Sequence, residues 1–350
     1  ITKSLIIRRL SSMKNSKTLA SILLTACLAG SILTGCTSKS ESTSTGEDQV
    51  LQYQSQTGAV SFPELAEDLG YLGDLELEKV SNYVGGPESI QLTATGETDF
   101  GYAFNGASIK SYSKNVKIKS VVGAYGSDEN TYIGAFVLEG SSIKSAKDFI
   151  DKKVGVNILG AHLEAVTKDY LRKGGLTEDE IKKVTFVTIP SANAEQALRN
   201  EQIDIILLQS LAKDLALERG GIKEVFNDIE VFGSEFTAGD FFFTEKYIDE
   251  NPTTVKQFTE GVAKAIEWAR ITPQEEVIER FEQIVTAREG NEPTGNLKFW
   301  KSTGIASEGG LITDDEFQIW IDWLVANGEL EEGQIKPEEL YTNEFNPYEK

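Results

Sequence analysis

Residues 85–103 read GGPESIQLTATGETDFGYA, and residues 189–208 read IPSANAEQALRNEQIDIILL. Each stretch opens on a loop of small residues and continues with apolar side chains at helical spacing. Each then passes through a short acidic turn and ends in a β-branched or aromatic run. The turn is Gly96-Glu97-Thr98-Asp99 in one and Glu201-Gln202-Ile203-Asp204 in the other. A helix that returns the chain to a new strand is what a parallel sheet requires, because parallel neighbours need a long crossover.

Outward from the first stretch, the pattern predicts strand Val50 to Gln54, helix Phe62 to Leu69, strand Leu75 to Val80 and helix Pro87 to Ala94. Strand Phe100 to Ala103, helix Ala107 to Tyr112 and strand Val116 to Val122 complete the series. Around the second stretch it predicts strand Lys153 to Asn157, helix His162 to Lys173, strand Val184 to Ile189 and helix Ala194 to Asn200. Strand Asp204 to Leu208 and helix Leu211 to Arg219 follow.

The fold class is therefore α/β with two lobes, each a mainly parallel sheet with flanking helices. Short extended stretches near Tyr132 to Glu139 and near Glu230 to Phe243 predict two crossings, and two crossings make a hinge. Lobe 1 is expected to comprise residues 50–138 and 230–350, with lobe 2, residues 139–229, as an insertion. Capping boxes are expected at Thr177/Glu180, Thr272/Glu275 and Thr313/Glu316, and Asn251-Pro252 is expected to cap a long helix. The last third is mostly helical.

Across its 350 residues the chain carries 55 Asp and Glu against 34 Lys and Arg, a net charge of −21, and 40% of its residues are hydrophobic. That fraction supplies a real core, and the charge repels nucleic-acid phosphates and anionic lipid surfaces. From Met13, the only methionine, Lys14 and Lys17 precede an apolar run from Leu19 to Leu33 that ends in Leu33-Thr34-Gly35-Cys36. This is a signal-peptide pattern, too short for the roughly 20 residues of a spanning helix.

The run Leu33-Thr34-Gly35-Cys36 resembles a bacterial lipobox, which implies cleavage before Cys36 and lipidation of Cys36. A diacyl anchor holds a protein stably on a membrane without spanning it. The expected location is the outer face of the cell membrane, a Gram-positive surface more than a periplasm. Residues 1–12 read as untranslated leader, residues 1–35 as leader plus signal, and residues 36–49 as lipidated Cys36 and a flexible tether, Thr37 to Asp48 reading TSKSESTSTGED. Cys27 leaves with the signal, so Cys36 is the only thiol expected in the exported chain, which excludes disulfides and Cys-based metal sites there.

Along the body stand PELAEDLGYL at 63–72, the stretch at 85–103, SSIKSAKDFIDKKVGVN at 141–157, the stretch at 189–208, ENPTTVKQFTEGVAKAIEWA at 250–269 and YTNEF at 341–345. Their order and spacing over nearly all of residues 50–345 carry a resemblance to the solute-binding proteins of ABC importers, in the branch of nitrate, sulfonate, taurine and thiamine-pyrimidine binders, a periplasmic-binding-protein type 2-like group. It implies two α/β lobes closing on a small ligand, a monomer, and an integral-membrane permease with a cytoplasmic ATPase as partners. No cofactor is expected, one His and no free thiol leave a metal cage without ligands, and the net charge of −21 speaks against nucleic acid.

In open α/β sheets ligands lie beyond the carboxyl ends of strands, so the strand-to-helix loops should face a shared cleft. The candidate ligand-binding residues are Gln56, Thr57, Gly58, Gly86, Phe104, Asn105, Gly106, His162, Ser191, Asn193, Gln209 and Asp240. Thr57, Asn105, Ser191 and Asn193 stand equally where helices are capped. The glycines serve turns as readily as close backbone approach. Tyr102, Phe104, Tyr125, Phe241 and Phe242 divide between core and cleft.

None of these loops carries Lys or Arg, so a small anion would rely on backbone N–H groups and helix dipoles. Aromatic residues with Asp240 fit a pyrimidine-like heterocycle at least as well, and the expected cargo is a small organic solute. Two other classes remain open. One is a sensory or adhesive lipoprotein on the same fold. The other is an exported hydrolase using a carboxylate pair, for which there is one His, no G-x-S-x-G motif and no P-loop. The sequence reads as a receptor without chemistry on its ligand.

Overall fold

The computed structural model describes residues 46–288 and 290–350. The expected leader, signal, Cys36 and most of the tether lie outside the described residues.

The first series runs β1 (Val50–Ser55), α1 (Phe62–Asp68), β2 (Glu76–Asn82), α2 (Gly86–Thr95), β3 (Phe100–Phe104), α3 (Asn105–Tyr112) and β4 (Ile118–Ser127). The chain then crosses to β5 (Ile133–Leu138), β6 (Lys153–Val156), α4 (His162–Lys173), α5 (Glu178–Ile181), β7 (Thr185–Thr188), α6 (Ser191–Arg199), β8 (Ile205–Gln209), α7 (Ser210–Arg219) and β9 (Ile222–Asn227). It returns through α8 (Asp228–Phe232) to β10 (Phe236–Thr244) and ends in α9 (Glu245–Glu250), α10 (Pro252–Ile271), α11 (Gln274–Ala287) and α12 (Asp314–Ala326).

Strands β1 and β2 pair in parallel, β3-β10-β4 form a second group, and β7-β6-β8-β5-β9 form the sheet of the other lobe. One strand in each lobe runs against its partners: β10 is antiparallel to β3 and β4, and β5 to β8 and β9. Both follow a crossing. A strand entering from the other lobe starts at the cleft and runs away from it, whereas strands fed by the lobe's own helices run toward the cleft.

The two acidic turns have one geometry. The Asp99 carboxylate accepts the Gln52 N–H at 2.6 Å while the Asp99 N–H donates to the Gln52 carbonyl at 2.9 Å. The Asp204 carboxylate accepts the Lys153 N–H at 2.9 Å while its N–H donates to the Lys153 carbonyl at 3.0 Å. Each aspartate therefore registers the start of a strand against the strand beside it. In the first lobe this clamp ties β1 to the entry of β3.

Four expectations change. β5 hydrogen-bonds only within the second lobe's sheet, so that sheet begins at Ile133 rather than 139. The stretch from Glu230 is not extended throughout, because Asn227 Oδ1 accepts the Glu230 N–H at 2.8 Å and caps α8. The box at Thr272/Glu275 does not form: α11 starts at Gln274 behind Pro273, which puts Glu275 one position too early. The tether ends sooner than Asp48, since Glu47 accepts the Thr254 N–H at 2.9 Å and Asp48 binds both Asn251 and Thr254. Glu47 thereby caps α10, the role expected of Asn251. The boxes at Thr177 and Thr313 are formed.

Each sheet has an apolar layer on both faces. Leu51, Phe100, Phe241, Phe258 and Val262 fill one face of the first lobe, and Phe136, Leu198 and Ile206 one face of the second. Between them a continuous core runs from Ile109 and Trp320 to Val154 and Leu171, so the two lobes share buried apolar surface. Among the described residues no helix is long and apolar enough to cross a membrane.

Candidate functional site

A cavity of about 370 Å³ lies between the lobes. Its wall is built from strand ends: Gln56 after β1, Tyr83 to Pro87 after β2, Tyr125 to Ser127 at the end of β4, Asn157 and Ile158 after β6, and Gln209 at the end of β8. The first crossing adds Thr131 to Ile133, and the segment between α11 and α12 adds Phe299 to Thr303. The lobes meet at its rim, where a Cβ on Gly85 would stand 2.5 Å from Ile158 Cδ1.

The first-lobe wall is aromatic. The Tyr83 and Tyr102 rings stack at 4.1 Å with 15° between planes, and Tyr125 meets Tyr102 edge-on at 6.4 Å. The Gln56 side-chain amide donates to the Tyr102 hydroxyl. Burial raises all three phenols above their ordinary range, so they stay neutral and serve as hydrogen-bonding groups. Next to them His162 stacks on Phe104 at 4.9 Å and meets Trp320 edge-on at 5.6 Å. Among the described residues its nitrogens have no protein partner, and burial drives its pKa down to about 3, so the ring is neutral.

The polar contribution of the backbone comes from helix starts. Helices α2, α4 and α7 begin at the cavity, at Gly86, His162 and Ser210, and none has a side-chain cap. Their first N–H groups carry partial positive charge, which suits an electron-rich ligand group. Ser210 holds the left-handed φ of 46°, a conformation that costs a non-glycine residue energy and recurs at ligand sites. Among the described residues, the charged residues of the wall are Asp214 and Lys301, whose side chains pair at 2.7 Å from opposite lobes.

Of the twelve candidates, the structure brings Gln56, Gly86, Phe104, His162 and Gln209 to the cavity. The others stand elsewhere. Thr57 is exposed, and Gly58 is buried against Pro293, where its N–H donates to Glu292. Asn105 and Gly106 open α3 beneath the sheet, where a Cβ on Gly106 would strike the Phe104 ring. Ser191 and Asn193 are exposed at the start of α6, beside a separate groove along β7. Asp240 alternates with Phe241 along β10, so Phe241 lines the cavity while Asp240 faces Asn105 and Ser120 on the buried side. Burial and the nearby Glu316 keep that carboxyl protonated well above the ordinary carboxylate range.

Residues 65–276 match the NMT1/THI5 like family model. The chain belongs to that family. No curated protein matches the sequence. Among solved structures, a Bordetella bronchiseptica protein superposes with a TM-score of 0.69 at 21% identity, covering 85% of this chain and 96% of that one. The alkanesulfonate-binding protein SsuA from Xanthomonas axonopodis, bound to MOPS, gives 0.65 at 17% identity, covering 85% and 99%. The periplasmic nitrate-binding protein NrtA from Synechocystis gives 0.62 at 12% identity, covering 85% and 87%. These likenesses establish the periplasmic-binding-protein fold.

In this NMT1/THI5-like chain, sequence reasoning missed Tyr83, Asn157, Asp214 and the segment Phe299 to Thr303. Tyr83 and Asn157 follow strands directly and were open to the strand-end rule. Phe299 to Thr303 was not, because it follows no strand: a short turn at Leu297–Phe299 delivers Trp300 onto Phe281 of α11 and Lys301 onto α7.

Proposed function

We propose that this protein is an exported, lipid-anchored receptor of an ABC importer that captures a small organic solute by hinge closure and hands it to a membrane permease. The observation that carries this reading is the cavity's position: strand ends of both lobes converge on it, with the crossings behind it. Family membership and the solute-binding neighbours support it.

The wall favours a planar ring over a bare inorganic anion. Tyr83, Tyr102, Tyr125 and Phe104 offer π-faces, the buried phenols offer polar tips, and the volume far exceeds nitrate. Sulfonate, nitrate-type and pyrimidine-like solutes are the classes to separate. Among the described residues, the wall has one carboxylate, Asp214, which is engaged by Lys301 and has no second carboxylate beside it, and this too fits the receptor reading.

The test is thermal unfolding of the protein against taurine, alkanesulfonates, nitrate, bicarbonate, thiamine pyrimidines, riboflavin and amino acids. A ligand at about 100 times its Kd adds roughly 2.7 kcal/mol, a shift of several degrees. A shift confined to one class, with one-to-one calorimetric binding and no product, supports the receptor. Turnover of any compound, or a response to nitrate alone, overturns it.

A further inference from the structure

Arg288, just past the end of α11, stands outside the cavity, yet both terminal nitrogens of its guanidinium are committed. Its Nη1 donates to the Gln56 carbonyl at 3.1 Å and to Glu292 Oε2 at 3.0 Å. Its Nη2 donates to the Ala59 carbonyl at 2.8 Å and to Glu64 Oε1 at 2.8 Å. Arg288 is 13% exposed, with Glu64 and Glu292 at 4% and 7%. Water therefore screens these ion pairs little, and the planar fork holds two carbonyls and two carboxylates at fixed angles.

Those two carbonyls bracket the turn that leaves β1. The same turn is gripped from the other side by Glu292, which accepts the Gly58 N–H at 2.7 Å, and a Cβ on Gly58 would stand 2.9 Å from the Pro293 carbonyl. Glu64 closes the group, accepting from the Tyr53 hydroxyl at 2.7 Å and the Ser55 hydroxyl at 2.9 Å at the end of β1. The turn carries one side chain into the cavity, that of Gln56, and its amide meets Tyr102, which stacks on Tyr83. An exposed glutamine on an untethered turn would sample many rotamers, and each would cost entropy to fix on binding.

We propose that Arg288 is a positioning residue of the ligand cavity: it fixes the turn at 56–59 and, through Gln56, orders the Tyr102–Tyr83 wall without touching the ligand. The proposal rests on the reading of the cavity as the ligand site. The long range of the contact gives it meaning, since the residue ordering the β1 turn comes from the far end of the chain. Lysine cannot replace it, because a point charge pairs with Glu64 but cannot span both carbonyls.

The test compares Arg288→Lys, Gln56→Ala and Arg280→Ala with the wild-type chain. Arg280, on the same α11, pairs with Asp68 outside this network and serves as the control. Two readouts need no ligand: hydrogen–deuterium exchange of the amides of residues 56–61 and the near-UV circular dichroism of the tyrosines. R288K is expected to speed exchange there about tenfold and to reduce the tyrosine signal, with exchange in the second lobe unchanged. Q56A is expected to reduce the tyrosine signal alone, and R280A to change neither.

Unchanged exchange and tyrosine signal in R288K overturn the proposal. So does a uniform rise in exchange across both lobes, which marks a merely structural role. Calorimetry with thiamine as the probe forms a separate arm. If wild type binds thiamine, R288K should bind it at least tenfold more weakly, and unaltered affinity overturns the proposal. If wild type does not bind thiamine, that bears on the ligand reading alone, and the two ligand-free readouts decide the role of Arg288.

Discussion

Lys301 and Asp214 join the two lobes across the cavity, with Nζ 2.7 Å from Oδ1. Next to Lys301, the Ser302 hydroxyl is 2.8 Å from both Asp128 Oδ1 and the Thr131 hydroxyl on the first crossing. The segment Phe299 to Thr303 thus acts as a non-covalent third connection at the hinge. Lys301 is half-exposed, so the pair is worth no more than about 1 kcal/mol and is screened by salt. Lys301→Met should therefore leave the unfolding midpoint within a degree or two while shifting the ligand-free protein toward an open form. Small-angle scattering should show a larger radius of gyration for the variant at low salt, and the difference should shrink at high salt.

The twin clamps of Asp99 and Asp204 share one geometry at two depths of burial. Asp99→Ala strips the acceptor from Gln52 N–H, and Asp204→Ala does the same to Lys153 N–H. Asp99→Ala should lower stability by about 1–3 kcal/mol because it leaves a part-buried N–H without its acceptor, whereas Asp204→Ala should cost no more than about 1 kcal/mol because water can reach the exposed Lys153 N–H. Urea unfolding measures both. Because the sites stand in different lobes without shared partners, the double variant should show additive losses.

His162 makes the fold sensitive to acid. Burial lowers its pKa from 6.5 to about 3, so between those values the unfolded chain takes a proton that the folded one refuses. Stability associated with the neutral ring is fully present above pH 6.5 and is lost as pH falls toward 3. His162→Phe keeps an aromatic ring against Phe104 and Trp320 and should flatten that loss, read as a smaller difference in urea midpoint between pH 7 and pH 4.5.

Asp228 acts in the opposite sense. It holds the hinge by accepting from the Ser127 hydroxyl and from the Ile133 N–H, and burial raises its pKa from 3.8 to about 6. The folded chain therefore takes the proton first as pH falls from about 6 to 4, which adds stability there; that gain is lost as pH rises through 6. Asp228→Asn should remove this component, so its stability should fall more steeply than wild type between pH 6 and pH 4.

Much of this architecture was determined locally. The helix from His162 to Lys173, the boxes at Thr177 and Thr313, and the repeated passage through Asp99 and Asp204 follow from periodicity, capping chemistry and turn residues that lie within a few positions of one another. Two α/β series with two crossings fix the fold class, and the strand-end rule places Gln56, Gly86, Phe104, His162 and Gln209 at the cleft.

Tertiary structure alone decided the rest, because the deciding contacts are distant in sequence. The pleat of β10 turns Asp240 away from the cavity, and that orientation is set by pairing with β3 and β4. Lys301 reaches the wall from a segment with no strand before it, and Arg288 organises the turn after β1 from the far end of the chain. No local pattern encodes these meetings: they exist only once the chain has packed, where an arginine and two glutamates distant in sequence meet behind a wall of three tyrosines.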